Sequence, residues 1–301
     1  MPAPAPAARP FRSVAIFGKR AETVAEPLAR LLTIVESAGV RAMLEASTAE
    51  RLGGSSRGYT LAEIGREADL AIVLGGDGTM LGIARELAPY GLPLIGVNHG
   101  RLGFITDVPL DGMETRLPAM LAGEYETETR TMLDAAIERD GVRAFEARAV
   151  NDVVISRGVA GGMVEFTVRV DGVTMYNQRA DGVILATPTG STAYALSADG
   201  PILHPRLAGL VLVPVAPQTL SNRPIVLPDD VAIEIEITDV RDASAHFDMQ
   251  SFTNLAPGDV LRARRAREVV TLLHPLGHNH FDTLRQKLHW NVMPSEPATR
   301  G

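Results

Sequence analysis

Two hydrophobic periods organise the chain. From residue 13 to about 125, short apolar runs alternate with stretches in which apolar residues return every three or four positions. Ser13–Gly18 (S-V-A-I-F-G) is apolar and ends in Gly, as a buried strand does. In residues 22–37, Leu28, Leu31, Leu32 and Val35 share one helix face, and Gly39 stops the helix. The same reading expects a strand over 40–44, a short helix over Leu61–Glu67 and a strand over 69–74 buried on both faces. It then expects a helix starting near Met80, with Ile83, Ala84 and Leu87 on its apolar side, a strand over 93–97 and a helix over Met113–Leu121. Alternating β and α elements imply a mostly parallel sheet covered by helices, an α/β domain.

Around residue 130 the period drops to two. Val164, Phe166, Val168 and Val170 alternate with Glu165, Thr167 and Arg169, and Asp171-Gly172 follows as a hairpin turn. Val231, Ile233, Ile235 and Ile237 alternate with Ala232, Glu234 and Glu236, and residues 260–273 lack helical spacing. These runs read as an antiparallel β domain. Phe281, Leu284 and Leu288 then restore helical spacing, so a last amphipathic helix is expected to return to the first domain. The expected division is a disordered tail over 1–12, an α/β domain over 13–130 plus 280–301, and a β domain over 131–279.

Composition narrows the function classes. The 301 residues are 46% hydrophobic and 22% charged, an ordinary globular balance that can bury a core without covalent staples. With no cysteine, a disulfide framework, a Cys-ligated metal and a thiol nucleophile are excluded. A net charge of −7 argues against charge-driven binding to nucleic acid or an anionic membrane. The longest apolar stretch, 207–217, contains prolines and falls far short of a membrane span. The Ala/Pro-rich start has no apolar run of the kind a secretion signal needs, so a soluble cytoplasmic protein is expected.

Four segments carry candidate chemistry. Gly75-Gly76-Asp77-Gly78-Thr79 lies between a buried strand and a helix, at the strand end where open α/β sheets bind ligands. Glycines there let backbone approach a phosphate, and a helix start favours anions. Asp77 repels phosphate, so it must accept a proton from a hydroxyl or hold Mg²⁺. Neither a Walker loop nor G-x-G-x-x-G is present. Asn98-His99-Gly100-Arg101-Leu102-Gly103-Phe104 follows the next strand, and Asn98 and Arg101 are candidates to reach the same ligand. Asn151-Asp152 opens another strand. Arg179-Ala180-Asp181-Gly182, a strand, and then Thr187-Pro188-Thr189-Gly190-Ser191-Thr192-Ala193-Tyr194 form the longest motif. Its hydroxyls suit ribose and phosphate oxygens, and Tyr194 suits stacking on a base. His274, His278 and His280 cluster without a carboxylate at a recognised spacing and read as a loop into the last helix, so no metal ligands are assigned. Arg262, Arg264, Arg265 and Arg267 read as a solvated strand face, and Asp248 and Gln250 as an unassigned polar stretch.

Together these segments resemble the bacterial NAD kinase family. The likeness runs from about residue 13 to Trp290 through G-G-D-G-T (75–79), N-H-G-R-L-G-F (98–104), N-D (151–152), D-G-V-I-L-A-T-P-T-G-S-T-A-Y (181–194), T-L-S-N-R-P-I-V (219–226) and F-D-T-L-R-Q-K-L-H-W (281–290). G-G-D-G-T alone is shared with lipid kinases; the 181–194 stretch is what singles out NAD kinases. The resemblance implies ATP-dependent phosphorylation of the 2′-hydroxyl of the adenosine ribose of NAD, with Mg²⁺ or another divalent cation. It implies an N-terminal Rossmann-like nucleotide-binding domain, a C-terminal β-sandwich that binds NAD, and a homodimer or homotetramer. Asp77 matches the family's proton acceptor. Gly78, Asn151, Asp152, Asp181, Ala216, Gln250 and the stretch Thr192, Ala193, Tyr194, Ala195, Leu196 and Ser197 match positions lining the NAD site. Arg179 matches a position associated with preference for NAD over NADH. Gly162 and Gln218 depart from the family pattern. A lipid kinase and a non-catalytic dinucleotide sensor are the rival readings.

Overall fold

The computed structural model describes residues 11–19, 24–53, 57–100, 103–159 and 161–290. Most of the tail expected over 1–12 lies outside the described residues, as does the end of the chain past 290. The chain forms two compact units, Met1–Glu128 with Thr271–Gly301, and Thr129–Val270.

The first unit is α/β. Its elements are β1 (Ser13–Gly18), α1 (Ala25–Ser37), β2 (Arg41–Glu45), α2 (Ala46–Arg51), β3 (Gly58–Tyr59), α3 (Leu61–Glu67), β4 (Leu70–Gly75), α4 (Asp77–Leu87), β5 (Leu94–Asn98), β6 (Val108–Pro109) and α5 (Met113–Leu121). The strands run parallel in the order β3-β2-β1-β4-β5, with β6 beside β5. This arrangement demands strands apolar on both faces, and every residue of β4 and β5 is buried. Leu28, Leu31 and Val35 of α1 pack into the cluster that holds Val14, Ile16, Leu70 and Ile72. Helix α3 begins on a reciprocal cap: the Thr60 hydroxyl accepts from the Glu63 N–H, and Glu63 accepts from the Thr60 N–H. Helix α4 begins three residues before Met80, because the N–H groups of Thr79 and Met80 already donate to the Gly76 carbonyl.

The second unit is an antiparallel β-sandwich. Its strands are β7 (Tyr125–Arg139, entering from the first unit), β8 (Val142–Ala149), β9 (Asp152–Arg157), β10 (Val164–Val170), β11 (Val173–Ala180), β12 (Gly182–Ala186), β13 (Gly209–Val215), β14 (Ile225–Pro228), β15 (Ile233–Asp239), β16 (Ala243–Phe247), β17 (Ser251–Asn254) and β18 (Val260–Pro275). A one-turn helix, α6 (Tyr194–Ser197), follows β12. One sheet runs β11-β10-β15-β18 with the β7-β8 hairpin on β18; the other runs β14-β13-β12-β9-β16-β17. Asp171 and Gly172 both adopt positive φ between β10 and β11, the mirror-image turn that the Asp-Gly pair predicts.

Strand alternation places Val153, Ile155, Val183, Leu185, Leu210 and Leu212 in the sandwich core with Phe166 and Phe247. The intervening Val154, Ile184, Val211 and Val213 form a second cluster, roofed by Ala195 and Leu203. The central strands β12 and β13 of the second sheet are therefore buried on both faces, and the segment after β12 covers their outer one. Strand β18 carries the chain back to the first unit, where Leu272 pairs in parallel with Leu94 and helix α7 (His280–Leu288) ends the described chain. There the Lys287 ammonium lies 5.5 Å from the centre of the Phe104 ring.

Candidate functional site

In the first unit the chemistry gathers on one carboxylate. Asp77 opens α4 directly after β4 and is half-buried. Its Oδ2 accepts from the Phe104 N–H at 2.7 Å, and its Oδ1 accepts from the Thr106 hydroxyl at 2.8 Å and the Ile105 N–H at 3.3 Å. All three donors come from the turn that the Gly103 N–H closes on the Thr106 carbonyl at 3.2 Å. Asn98 is 3% exposed and donates to the Thr106 hydroxyl at 2.9 Å, so its amide holds the group that holds Asp77 instead of reaching a ligand. Arg101, the other residue singled out in this loop, lies outside the described residues.

Gly103 explains why the two loop motifs occur together. A Cβ at this position would sit 2.0 Å from both Asp77 Oδ1 and Thr106 Oγ1. Any side chain there displaces the carboxylate. Gly78 is exposed in the first turn of α4. The result is a carboxylate at a strand end, fixed in direction by three donors, a geometry fit for taking a proton at a defined point.

In the second unit the chemistry lies at the two ends of β9. At its start, Asp248 occupies a left-handed turn (φ 50°), which Met249 continues (φ 55°). The Asp248 carboxylate accepts from the N–H groups of Val150 at 2.9 Å, Asn151 at 2.7 Å and Asp152 at 3.1 Å. No motif points to Asp248 in the sequence, where its signal is a polar turn between two alternating runs. Asp152 is 3% exposed. Burial, reinforced by the neighbouring Asp248 charge, pushes its carboxyl up to about 7.

The turn after β12 closes on the same end. Thr187 donates through its hydroxyl to the Val150 carbonyl at 2.6 Å and through its N–H to the Asn151 carbonyl at 2.9 Å. A Cβ on Gly190 would lie 2.1 Å from the Asn151 carbonyl oxygen, so only glycine lets the two backbones approach. The hydroxyls were expected to face ligand oxygens, but most build the turn itself. Ser191 donates to the Pro188 carbonyl at 2.6 Å and accepts from the Leu203 N–H at 2.9 Å, and Thr192 donates to the Thr189 carbonyl at 3.1 Å. Thr187 and Ser191 are fully buried, whereas Thr192, Ala193 and Leu196 are half-buried and Tyr194 and Ser197 exposed. Ala195 has no exposed surface and packs in the roof over the outer face of the second sheet.

The far end of β9 carries a second group. Gly182 pairs with Ser156 while Ala186 pairs with Asp152, so Asp181, one residue before Gly182, lies about 16 Å along the strand from Asp152. Asp181 pairs with Arg157 at 2.7 Å, and both line a cavity of about 280 Å³ with Tyr194, Gly158 and Val215. Arg179 is exposed and pairs with Glu165 across the β10–β11 ladder at 3.1 Å. Ala216, exposed, takes a positive φ of 44°, a costly backbone for a residue with a Cβ and one met at ligand sites. Gln250, Gly162 and Gln218 are exposed, and the Gln218 N–H donates to the Arg179 carbonyl at 2.9 Å. A larger depression of about 590 Å³ elsewhere in this unit is lined by charges that answer one another, Arg148 with Asp134 and Arg262 with Glu138 and Glu234. Arg262, Arg264, Arg265 and Arg267 are exposed, as expected.

The histidines depart from the loop reading. His274 lies in β18 and is buried, His280 opens α7, and only His278 lies between these elements. Asp107 supplies the carboxylate that no sequence spacing indicated, accepting from His274 Nδ1 at 2.9 Å and His278 Nδ1 at 3.0 Å. Burial opposes charge on His274, but hydrogen bonds to Asp107 and Glu128 prevail and raise its pKa to about 9. On Asp107 burial is likewise outweighed by the two imidazoles, which lower its carboxyl to about 2.

Comparison with known proteins bears on both units. The model of the ATP-NAD kinase N-terminal domain matches residues 18–125, and that of the ATP-NAD kinase C-terminal domain matches residues 150–274. The chain is 57% identical over 289 residues to an NAD kinase of Burkholderia thailandensis, covering 95% of this chain and 96% of that one. It is 55% identical over 291 residues to an NAD kinase of Cupriavidus pinatubonensis, covering 95% of each. Among solved structures, yeast NADH kinase complexed with NADH matches with a TM-score of 0.85 at 25% identity, over 97% of this chain and 91% of that one. An NAD kinase from Archaeoglobus fulgidus in complex with ATP matches with a TM-score of 0.70 at 25% identity, over 92% and 98%.

Proposed function

This chain belongs to the NAD kinase family, and from that premise we propose that it transfers the γ-phosphoryl group of ATP to the 2′-hydroxyl of the adenosine ribose of NAD, giving NADP. The observation that carries the mechanism is Asp77, a carboxylate at a strand end aimed by three donors of the 103–106 turn. A ribose hydroxyl is a poor nucleophile at neutral pH, and transfer needs a placed proton acceptor and in-line alignment. Asp77 takes the hydroxyl proton as the 2′-oxygen–phosphorus bond forms and the bond to the bridging β,γ-oxygen breaks, releasing ADP. Mg²⁺ enters with ATP as part of that substrate.

In this reading the α/β domain (13–130 plus 280–301) carries the base and the β domain (131–279) holds NAD. Asn151, Asp152 and Asp181 accept from or donate to ribose and amide groups, Tyr194 offers a ring for stacking, and Gly78, Thr192, Ala193, Leu196, Ser197, Ala216 and Gln250 complete the surface. Arg179 favours NAD over NADH. A cytoplasmic homodimer or homotetramer completes the proposal. Purified protein with NAD and Mg·ATP should yield NADP, followed by a coupled NADP-dependent dehydrogenase. NAD binding in a calorimeter without NADP formation would make it a dinucleotide sensor, and phosphate transfer to diacylglycerol or sphingosine instead of NAD would make it a lipid kinase.

A further inference from the structure

Two segments far apart in sequence, one holding Asp107 and one holding His274 and His278, meet at one point of the first unit. Asp107 precedes β6, His274 lies near the end of β18, and His278 lies between β18 and α7. Both imidazoles direct Nδ1 at the same oxygen, Asp107 Oδ2, at 2.9 and 3.0 Å. One ligand atom from each of the three side chains lies within 4.8 Å of the others. The two rings stack with centroids 4.0 Å apart and planes 13° off parallel. The other carboxylate oxygen, Asp107 Oδ1, is buried and has no hydrogen-bond partner among the described residues. On the far side of His274, Nε2 lies 3.2 Å from Glu128 Oε2.

We propose that Asp107, His274 and His278 form a binding site for a divalent transition metal of the zinc class, distinct from the Mg²⁺ that accompanies ATP. Two imidazole nitrogens and a carboxylate oxygen are the donor set that borderline divalent ions select, and three protein ligands leave a position for water. Glu128 stands where a carboxylate orients a metal-bound histidine through its other nitrogen. The charge also balances, because the carboxylates of Asp107 and Glu128 answer the two positive charges of the ion. An ion at this point replaces the protons now shared between the imidazoles and Asp107, and the orphaned Oδ1 gains a partner. It would tie the turn before α7 to the residue next to Thr106, and so to the turn that aims Asp77.

The test uses the full chain, stripped by a chelator and titrated with Zn²⁺ alone in excess Mg²⁺ without nucleotide. One equivalent should bind per chain with release of protons, and Co²⁺ should give visible d–d absorption in its place. His278→Ala and Asp107→Asn should each weaken binding at least about tenfold and abolish the Co²⁺ bands, and Glu128→Gln should weaken it about 10- to 100-fold. Circular dichroism establishes that each variant is folded. His278 lies outside regular structure, so that variant decides the matter if Asp107→Asn fails to fold. Absence of stoichiometric Zn²⁺ binding, or wild-type affinity in folded His278→Ala, overturns the proposal. Neither readout involves NADP formation, so the metal site and the kinase reading can fail independently.

Discussion

Asp77 and Asp152 are the same residue type at the ends of strands, and their surroundings make them different chemical groups. Asp77 is half-buried and receives three hydrogen bonds from one turn. Asp152 is buried beside Asp248, whose own carboxylate is engaged by three backbone N–H groups. The first environment aims a carboxylate, whereas the second disfavours its charge and raises its pKa to about 7. Donors matter as much as burial: Asp107 is buried too, yet two imidazoles lower its carboxyl to about 2.

The largest expected effect removes the aimed carboxylate. Asp77→Asn should lower kcat by about 10²–10⁴-fold while NAD affinity stays within a few-fold, because base action enters only the transition state. Normal turnover in this variant removes Asp77 as the base. Gly103→Ala comes next and tests aim without removing the group. The new methyl would meet Asp77 Oδ1 at 2.0 Å, and the carboxylate is the softer partner, so it must swing away. A misplacement of this kind costs on the order of 10²-fold in kcat, with little change in melting temperature. A fall in stability with unchanged kcat would show that the turn serves folding alone.

The buried partner is tested through pH. The folded-state pKa of Asp152, about 7, lies above its unfolded value near 3.8, so the folded chain holds this proton more tightly. Its contribution to stability is complete below about pH 4 and is lost as the pH rises through 7. Asp152→Asn should therefore stabilise the ligand-free protein at pH 8 by on the order of 4 kcal/mol, with the gain vanishing toward pH 4. Denaturant melts across that range measure it, and a gain independent of pH would contradict the burial argument. The smallest effect concerns Arg179, exposed and paired only at the surface with Glu165. Arg179→Ala should raise kcat/KM on NADH relative to NAD by a few-fold, about 1 kcal/mol of discrimination. An unchanged ratio would remove Arg179 as a selectivity element.

Legibility followed the range of the forces involved. The strands β1, β4, β5, β10 and β15 follow from runs of neighbours in sequence, because a buried strand must be apolar on one face or both. The Asp171-Gly172 turn was equally readable, since few residues tolerate its backbone. Asn98 misled, because a polar residue in a loop looks the same whether it meets a ligand or, as here, a buried threonine. The hydroxyls of Thr187 and Ser191 misled in the same way, their partners being backbone carbonyls of a turn whose path the sequence does not display.

What the sequence determined by itself was the alternation of elements, the place of Asp77 at a strand end and membership of a family, all properties of residues close together in the chain or of their order. The tertiary structure alone decided which carboxylate carries which burden. Asp248 reaches back almost a hundred positions to three N–H groups, and His274 meets Asp107 across a separation of 167. Burial and hydrogen bonding, the two forces that set the chemistry of a carboxylate, depend on such distant neighbours, and only the packed chain brings them into place.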